Sequence, residues 1–75
     1  MKPTIKYEAE DDAAYIRLSN DRILEREEVA PNIIFDYDAE GRIVGIEILT
    51  ATKTLAPGDW QNARLPGKAS SNAAK

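Results

Sequence analysis

A mainly β fold is what this sequence predicts: a small antiparallel meander of four to five strands, a short helical turn after the last strand, and a flexible C-terminal tail. Three observations carry that reading. Residues 32–49 hold two runs of β-branched and aromatic residues on either side of a turn signal, residues 4–29 hold shorter alternating runs, and from Ala56 onward Pro, Gly, Ser, Asn and Ala dominate. The chain therefore divides into a small β-rich domain over 1–55 and a tail over 56–75, largely disordered or folding back through Trp60.

Thr4 to Tyr7 alternates and reads as a first strand. Glu8-Ala9-Glu10-Asp11-Asp12 is polar enough for a turn, and Ala13 to Ser19 is a second strand. Glu8 to Leu18 also contains good helix formers, but Tyr15-Ile16-Arg17-Leu18 alternates and ends at the turn-like Ser19-Asn20-Asp21, which favours the strand. Arg22 to Val29 is a more exposed strand whose charges suit a sheet edge. Ala30-Pro31-Asn32 then punctuates the chain, because Pro31 has no N–H to donate and biases Ala30 toward extended geometry.

The strongest signal is the hairpin of Asn32–Tyr37 and Arg42–Leu49 around Asp38-Ala39-Glu40-Gly41. Asp at the first position and Gly at the last suit a type I turn closed by a left-handed glycine. That turn implies a register in which Tyr37 faces Ile43, Asp36 faces Val44, Phe35 faces Gly45, Ile34 faces Ile46 and Ile33 faces Glu47. One face then carries Ile33, Phe35, Tyr37, Ile43, Gly45, Glu47 and Leu49, with the Phe35 ring over Gly45. The other carries Ile34, Asp36, Val44, Ile46 and Ile48. Both are too apolar for open water. Thr50 to Leu55 reads as a turn or two of helix capped by Thr50 and ended by Pro57-Gly58.

A chain of 75 residues is one domain of a size at which a single core supplies only about 3–5 kcal/mol. It has no Cys and no His, hence neither disulfides nor the usual structural zinc ligands, so self-association as a dimer or larger is the expected route to a sufficient core. The start Met-Lys-Pro-Thr is followed by no apolar run, and no segment is long enough to span a bilayer. The expectation is a cytoplasmic protein. The net charge of −3 is unevenly placed: residues 1–50 hold 12 of the 13 acids and residues 51–75 hold 4 of the 10 bases. An acidic body argues against direct nucleic-acid binding.

Asp36-x-Asp38-x-Glu40-Gly41, with Glu47 beyond it, nearly spells a calcium loop, in which oxygens from alternate positions converge around a sharp glycine bend. Glu40 stands where Asp or Asn is usual, and both flanks are β rather than helical. In the hairpin register Asp36 and Glu47 project to opposite faces and cannot share an ion, so an ordinary turn is the preferred reading and no metal or cofactor is expected. The alternative is a metal- or small-ligand-binding domain using Asp36, Asp38 and Glu40. Glu8, Glu10, Asp11 and Asp12, with Glu25, Glu27 and Glu28, would steer a basic protein partner, and Trp60 would anchor it. Without His, Cys or a glycine-flanked Ser, nucleophilic catalysis has no visible candidate, and the protein is not expected to be an enzyme.

Two blocks carry a family resemblance. One is Ile5-Lys6-Tyr7, the acidic turn, and Ala13-Ala14-Tyr15-Ile16-Arg17-Leu18. The other runs from Ile34-Phe35-Asp36-Tyr37-Asp38 through Gly41-Arg42-Ile43-Val44-Gly45-Ile46-Glu47-Ile48-Leu49. With Glu27 and Glu28 before the second block, about the first 50 residues resemble the short bacterial domain of unknown function 2283, DUF2283. Asp12-Ala13-Ala14 stands where that family usually has Ala-Asp-Ala, and Thr50 where similar proteins often have Asp. The resemblance implies a small β-rich fold with no established activity. It also suggests an antitoxin-like or other partner-binding role, since such families are often encoded beside small toxin-like proteins. The expected function is a homo-oligomeric protein-interaction module; a structural fragment active only in a larger assembly is a further alternative.

Overall fold

The computed structural model describes residues 2–63. The reading of 64–75 as tail lies outside the described residues. Five strands form one antiparallel sheet: β1 (Thr4–Glu8), β2 (Ala13–Arg17), β3 (Glu25–Ala30), β4 (Ile33–Tyr37) and β5 (Ile43–Leu49). Their spatial order is β1-β2-β5-β4-β3. Neighbours in sequence pair within β1-β2 and within β3-β4-β5, and β5 joins the two groups by pairing with β2.

That order explains why the third strand starts later than its composition suggests. From β2 the chain must pass β5 and β4 to reach the far edge, three strand spacings or about 14 Å. Leu18–Leu24 makes the crossing. Arg17 holds this segment, donating from Nε to the Ser19 carbonyl at 2.5 Å and from Nη2 to the Asp21 carbonyl at 3.0 Å.

The Asp38–Gly41 turn forms as its residues require. The Gly41 amide donates to the Asp38 carbonyl at 3.1 Å, the Asp38 amide to the Arg42 carbonyl at 2.9 Å, and Gly41 has φ +78°. The expected pairing of Tyr37 with Ile43 follows, and there the expected register ends. Val44 is an extra residue on β5, so Asp36 faces Gly45, Phe35 faces Ile46, Ile34 faces Glu47 and Ile33 faces Ile48. A one-residue bulge sends every later side chain to the opposite face.

The bulge sorts polar from apolar. Across the sheet one row reads Ile5, Ile16, Ile46, Phe35 and the next Tyr7, Ala14, Ile48, Ile33, all on what becomes the apolar face. The opposite, more polar face carries Lys6, Tyr15, Arg17, Glu47, Asp36 and Arg26, with Ile34 and Leu49 as its apolar members. Gly45 is covered by Tyr15 rather than Phe35: a Cβ there would lie 2.1 Å from the Tyr15 hydroxyl.

A thin second layer covers part of the apolar face. The short helix α1 (Ala51–Thr54) and a 3-10 turn (Asp59–Asn62) bring Ala51, Leu55 and Trp60 over the Tyr7–Ala14–Ile48–Ile33 row. Of the two fates expected for Trp60, it takes the folded-back one: its ring meets Tyr7 edge-on at 5.0 Å, and its Nε1 donates to the Ala56 carbonyl at 2.6 Å. Among the described residues the buried apolar set is small: Ala14, Val44, Ile48 and Ala51.

Thr50 stands at the N-cap position, as expected, but its side chain does not cap. It sits in left-handed backbone at φ 50° and makes no side-chain capping bond. Asp12 takes the role from the β1–β2 turn. Its carbonyl accepts from the Ala51 amide at 2.7 Å, its Oδ1 from the Thr52 amide at 3.1 Å, and its Oδ2 from the Thr52 hydroxyl at 2.7 Å. The Tyr7 hydroxyl also donates to Asp12 Oδ1, at 2.8 Å. These bonds hold the Asp12 carboxyl below the usual aspartate range, the Thr52 hydroxyl contributing most.

Candidate functional site

The polar face holds the most built arrangement of side chains in the domain. Asp36 projects from the middle of β4 and is 3% exposed. Its Oδ2 accepts from the Tyr15 hydroxyl on β2 at 2.7 Å, and its Oδ1 from Arg26 Nε on β3 at 2.7 Å. Arg26 reaches on to Glu47 of β5, donating from Nη2 to Oε1 at 2.5 Å. One carboxylate and one guanidinium thus join four strands.

Local structure makes this possible. Bare backbone at Gly45 lets the Tyr15 ring lie across β5 and reach a strand that β2 does not touch. The bulge at Val44 then places Glu47 on the same face as Asp36. The expectation that these two acids cannot share an ion is corrected: they share the guanidinium of Arg26. Burial, followed by the hydrogen bond to Asp36, pushes the Tyr15 hydroxyl up to about 12.

Around this network lies an open groove of about 550 Å³, with Lys6, Glu8 and Asp11 on one rim and Ile23 of the crossing segment on the other. Each oxygen of the buried carboxylate accepts a hydrogen bond, and Arg26 bridges it to Glu47. The arrangement suits a lock between strands, since every polar group in it is bonded to a neighbour on another strand.

The residues of the near-calcium loop are not brought together. Asp36 belongs to the strand lock. Asp38 is consumed by its own turn: Oδ1 accepts from the amides of Glu40 and Arg42, both at 2.9 Å, and Oδ2 from Arg42 Nε at 2.9 Å. Those bonds, the Arg42 amide first, hold the Asp38 carboxyl down at about 2. Glu40 is exposed beside Arg42. Among the described residues no group of three or more acids is placed to hold a metal ion.

The acidic residues expected to meet a basic partner separate into two places. Glu8, Glu10 and Asp11 are exposed at the β1–β2 turn, while Glu25, Glu27 and Glu28 lie on β3 at the opposite edge of the sheet. Asp12 is tied to Tyr7 and Thr52, and Trp60 is packed on Tyr7, so neither stands free as a contact residue. The important site residues that the sequence reading missed are Tyr15 and Arg26. The available signal was the mixed character of both hairpin faces, which a single-residue slip would have resolved.

Comparison with known proteins agrees with the strand pattern. The family model described as a protein of unknown function, DUF2283, matches residues 4–51, from the first residue of β1 to the first of α1. The chain belongs to the DUF2283 family. No curated protein and no solved structure matches it. The DUF2283 match takes in Tyr15, Arg26, Asp36, Gly45 and Glu47 and stops short of Trp60, so the strand lock lies within the family region and most of the covering strap outside it. Among the described residues of this DUF2283 chain no helix is long and apolar enough to cross a membrane.

Proposed function

We propose that this DUF2283 domain is a non-enzymatic, self-associating protein-interaction module whose copies meet through the open part of the apolar face. One observation carries the reading. The layer of α1 and Trp60 lies over the Tyr7–Ala14–Ile48–Ile33 row, Ile16 and Ile46 of the next row pack against its core, and Ile5 and Phe35 lie outside that cluster, all four residues of this second row being only half-buried. Leu18 at 42% exposure and Ile43 at 39% continue the apolar surface at that end. Sheets bury such a face by packing about 10 Å from another layer, and a second copy supplies one of matching chemistry.

The two faces differ in what association would cost. The open apolar row carries no ionisable side chain before Glu27. Burying the polar face would instead desolvate Lys6, Arg17, Arg26 and Glu47, which is expensive for each charge left incompletely paired. Self-association also adds apolar burial to a core that, among the described residues, has four fully buried apolar side chains, all small or medium.

The test is native mass by light scattering over a wide concentration range, on the full chain and on a Leu18→Glu, Ile43→Lys variant. A dimer or larger for the first and a folded monomer for the second, with its circular dichroism spectrum retained, is the expected result. A wild-type chain that is monomeric at every concentration overturns the reading.

A further inference from the structure

The two edges of the sheet are not alike. On β1 the Tyr7 amide donates to the carbonyl of Ala63 at 3.1 Å, so the C-terminal segment occupies part of that edge. Strand β3 ends the sheet on the other side, all six of its residues are exposed, and its outer backbone has no hydrogen-bonding partner among the described residues. A row of unpaired amides and carbonyls is a template for one more strand.

The side chains of β3 determine which strand fits. Glu25 and Glu27 lie on the apolar-face side and Glu28 on the groove side. Arg26 does not neutralise them, because its guanidinium is turned inward onto Asp36 and Glu47. The edge is therefore acidic on both sides of its backbone. Antiparallel pairing with the β3 of a second copy, about a two-fold axis normal to the sheet, would set Glu25 opposite Glu27 twice, or Glu27 or Glu28 opposite its own copy, according to the residue on the axis, and like charges directly opposite are destabilising. A strand with Lys or Arg at intervals would meet a carboxylate on either face. The bulge between Glu28 and Ala30 interrupts the ladder, which confines regular pairing to Glu25–Glu28.

We infer that the outer edge of β3 is a docking site for an extended, Lys- or Arg-bearing segment of a different protein, added to the sheet as a sixth strand. This surface is separate from the apolar face of the self-association reading, so either can fail while the other stands.

The experiment titrates the full-length isotope-labelled chain with a synthetic peptide alternating lysine with valine and threonine. Two control probes accompany it: the same peptide with glutamate for lysine, and the lysine peptide N-methylated at alternate residues to remove backbone donors. The expected result is amide shifts centred on Glu25–Glu28, weakened by salt, with no binding of either control. Glu25→Lys, Glu28→Lys changes one carboxylate on each face and leaves the Tyr37–Glu27 bond intact, and it should weaken binding by about tenfold or more. The inference is overturned if the lysine peptide does not bind, if the N-methylated peptide binds equally well, or if the shifts centre on Glu8, Glu10 and Asp11.

Discussion

On the polar face one buried carboxylate links β2, β3, β4 and β5 through Tyr15, Arg26 and Glu47. On the apolar face a strap of one helical turn and one 3-10 turn lies over one row of side chains and, among the described residues, leaves the adjacent row half-buried, with Ile5 and Phe35 outside the core cluster. The first arrangement is directional: it is satisfied only when all four strands hold the observed register. The second is not, because apolar contacts tolerate sliding and exchange of partners. The contrast suggests a division of labour in a domain too small for a large core. Register is fixed from the polar side, and the apolar side supplies burial and remains open to a second layer.

The sharpest way to break this comparison is Asp36→Ala. It leaves the Tyr15 hydroxyl and the Arg26 guanidinium without their shared partner and opens a space at a position 3% exposed. Removing one member of a buried ion pair costs about 3–5 kcal/mol, and because Arg26 keeps half its surface in water we expect about 2–3 kcal/mol here. Against a total of about 3–5 kcal/mol that is most of the stability of the domain. Urea unfolding measures it. A loss below about 0.5 kcal/mol would mean that the apolar face alone sets the register.

Tyr15→Phe probes the same lock more gently. It removes one hydroxyl bond, worth about 1 kcal/mol, and keeps the ring over Gly45. Its signature is in pH. The folded-state value of Tyr15 is raised to about 12, above the ordinary 10, so its contribution is complete below pH 10 and is lost as pH rises from 10 through 12. The stability gap between wild type and Tyr15→Phe should therefore be flat from neutral pH to 10 and narrow above it. A gap that stays constant to pH 12 would show that the hydroxyl is neither buried nor held by Asp36.

Much of the fold was legible because its signals are local. Asp38 and Gly41 specify a turn whatever the rest of the chain does, and the charges of β3 mark an edge strand. What was not legible depends on partners distant in sequence. The β2–β5 pairing joins residues more than 25 positions apart, and it decides that Tyr15 rather than Phe35 covers Gly45. The Val44 bulge has no local signature of its own. Its trace is that the unbulged register mixes Glu47 with Phe35 and Asp36 with Ile46, whereas the bulged one places both acids beside Tyr15 and Arg26. Asp12 was readable as acidic but not as the cap of a helix 40 residues away.

The smallest expected effect concerns the strap and its true cap. A threonine serving as N-cap is harmed by replacement with glycine, by only a few tenths of a kcal/mol, since its hydroxyl would be lost. Thr50 has no such bond to lose, and it stands in left-handed backbone at φ 50°, where a β-branched side chain is strained and glycine is not. Thr50→Gly should therefore stabilise the domain by about 0.5 kcal/mol, the relief of strain exceeding the entropy that glycine adds to the unfolded chain. Asp12→Ala should do the opposite by about 1 kcal/mol, because the first turn of α1 loses its acceptor and Tyr7 its partner. The two changes separate the strap from the lock, since neither touches Asp36, and a thermal melt of each variant reads the sign. Destabilisation by Thr50→Gly would return the cap to Thr50 and make α1 a self-contained turn. Stabilisation would make the β1–β2 turn the anchor of the covering layer, so that loosening Asp12 exposes the rest of the apolar face.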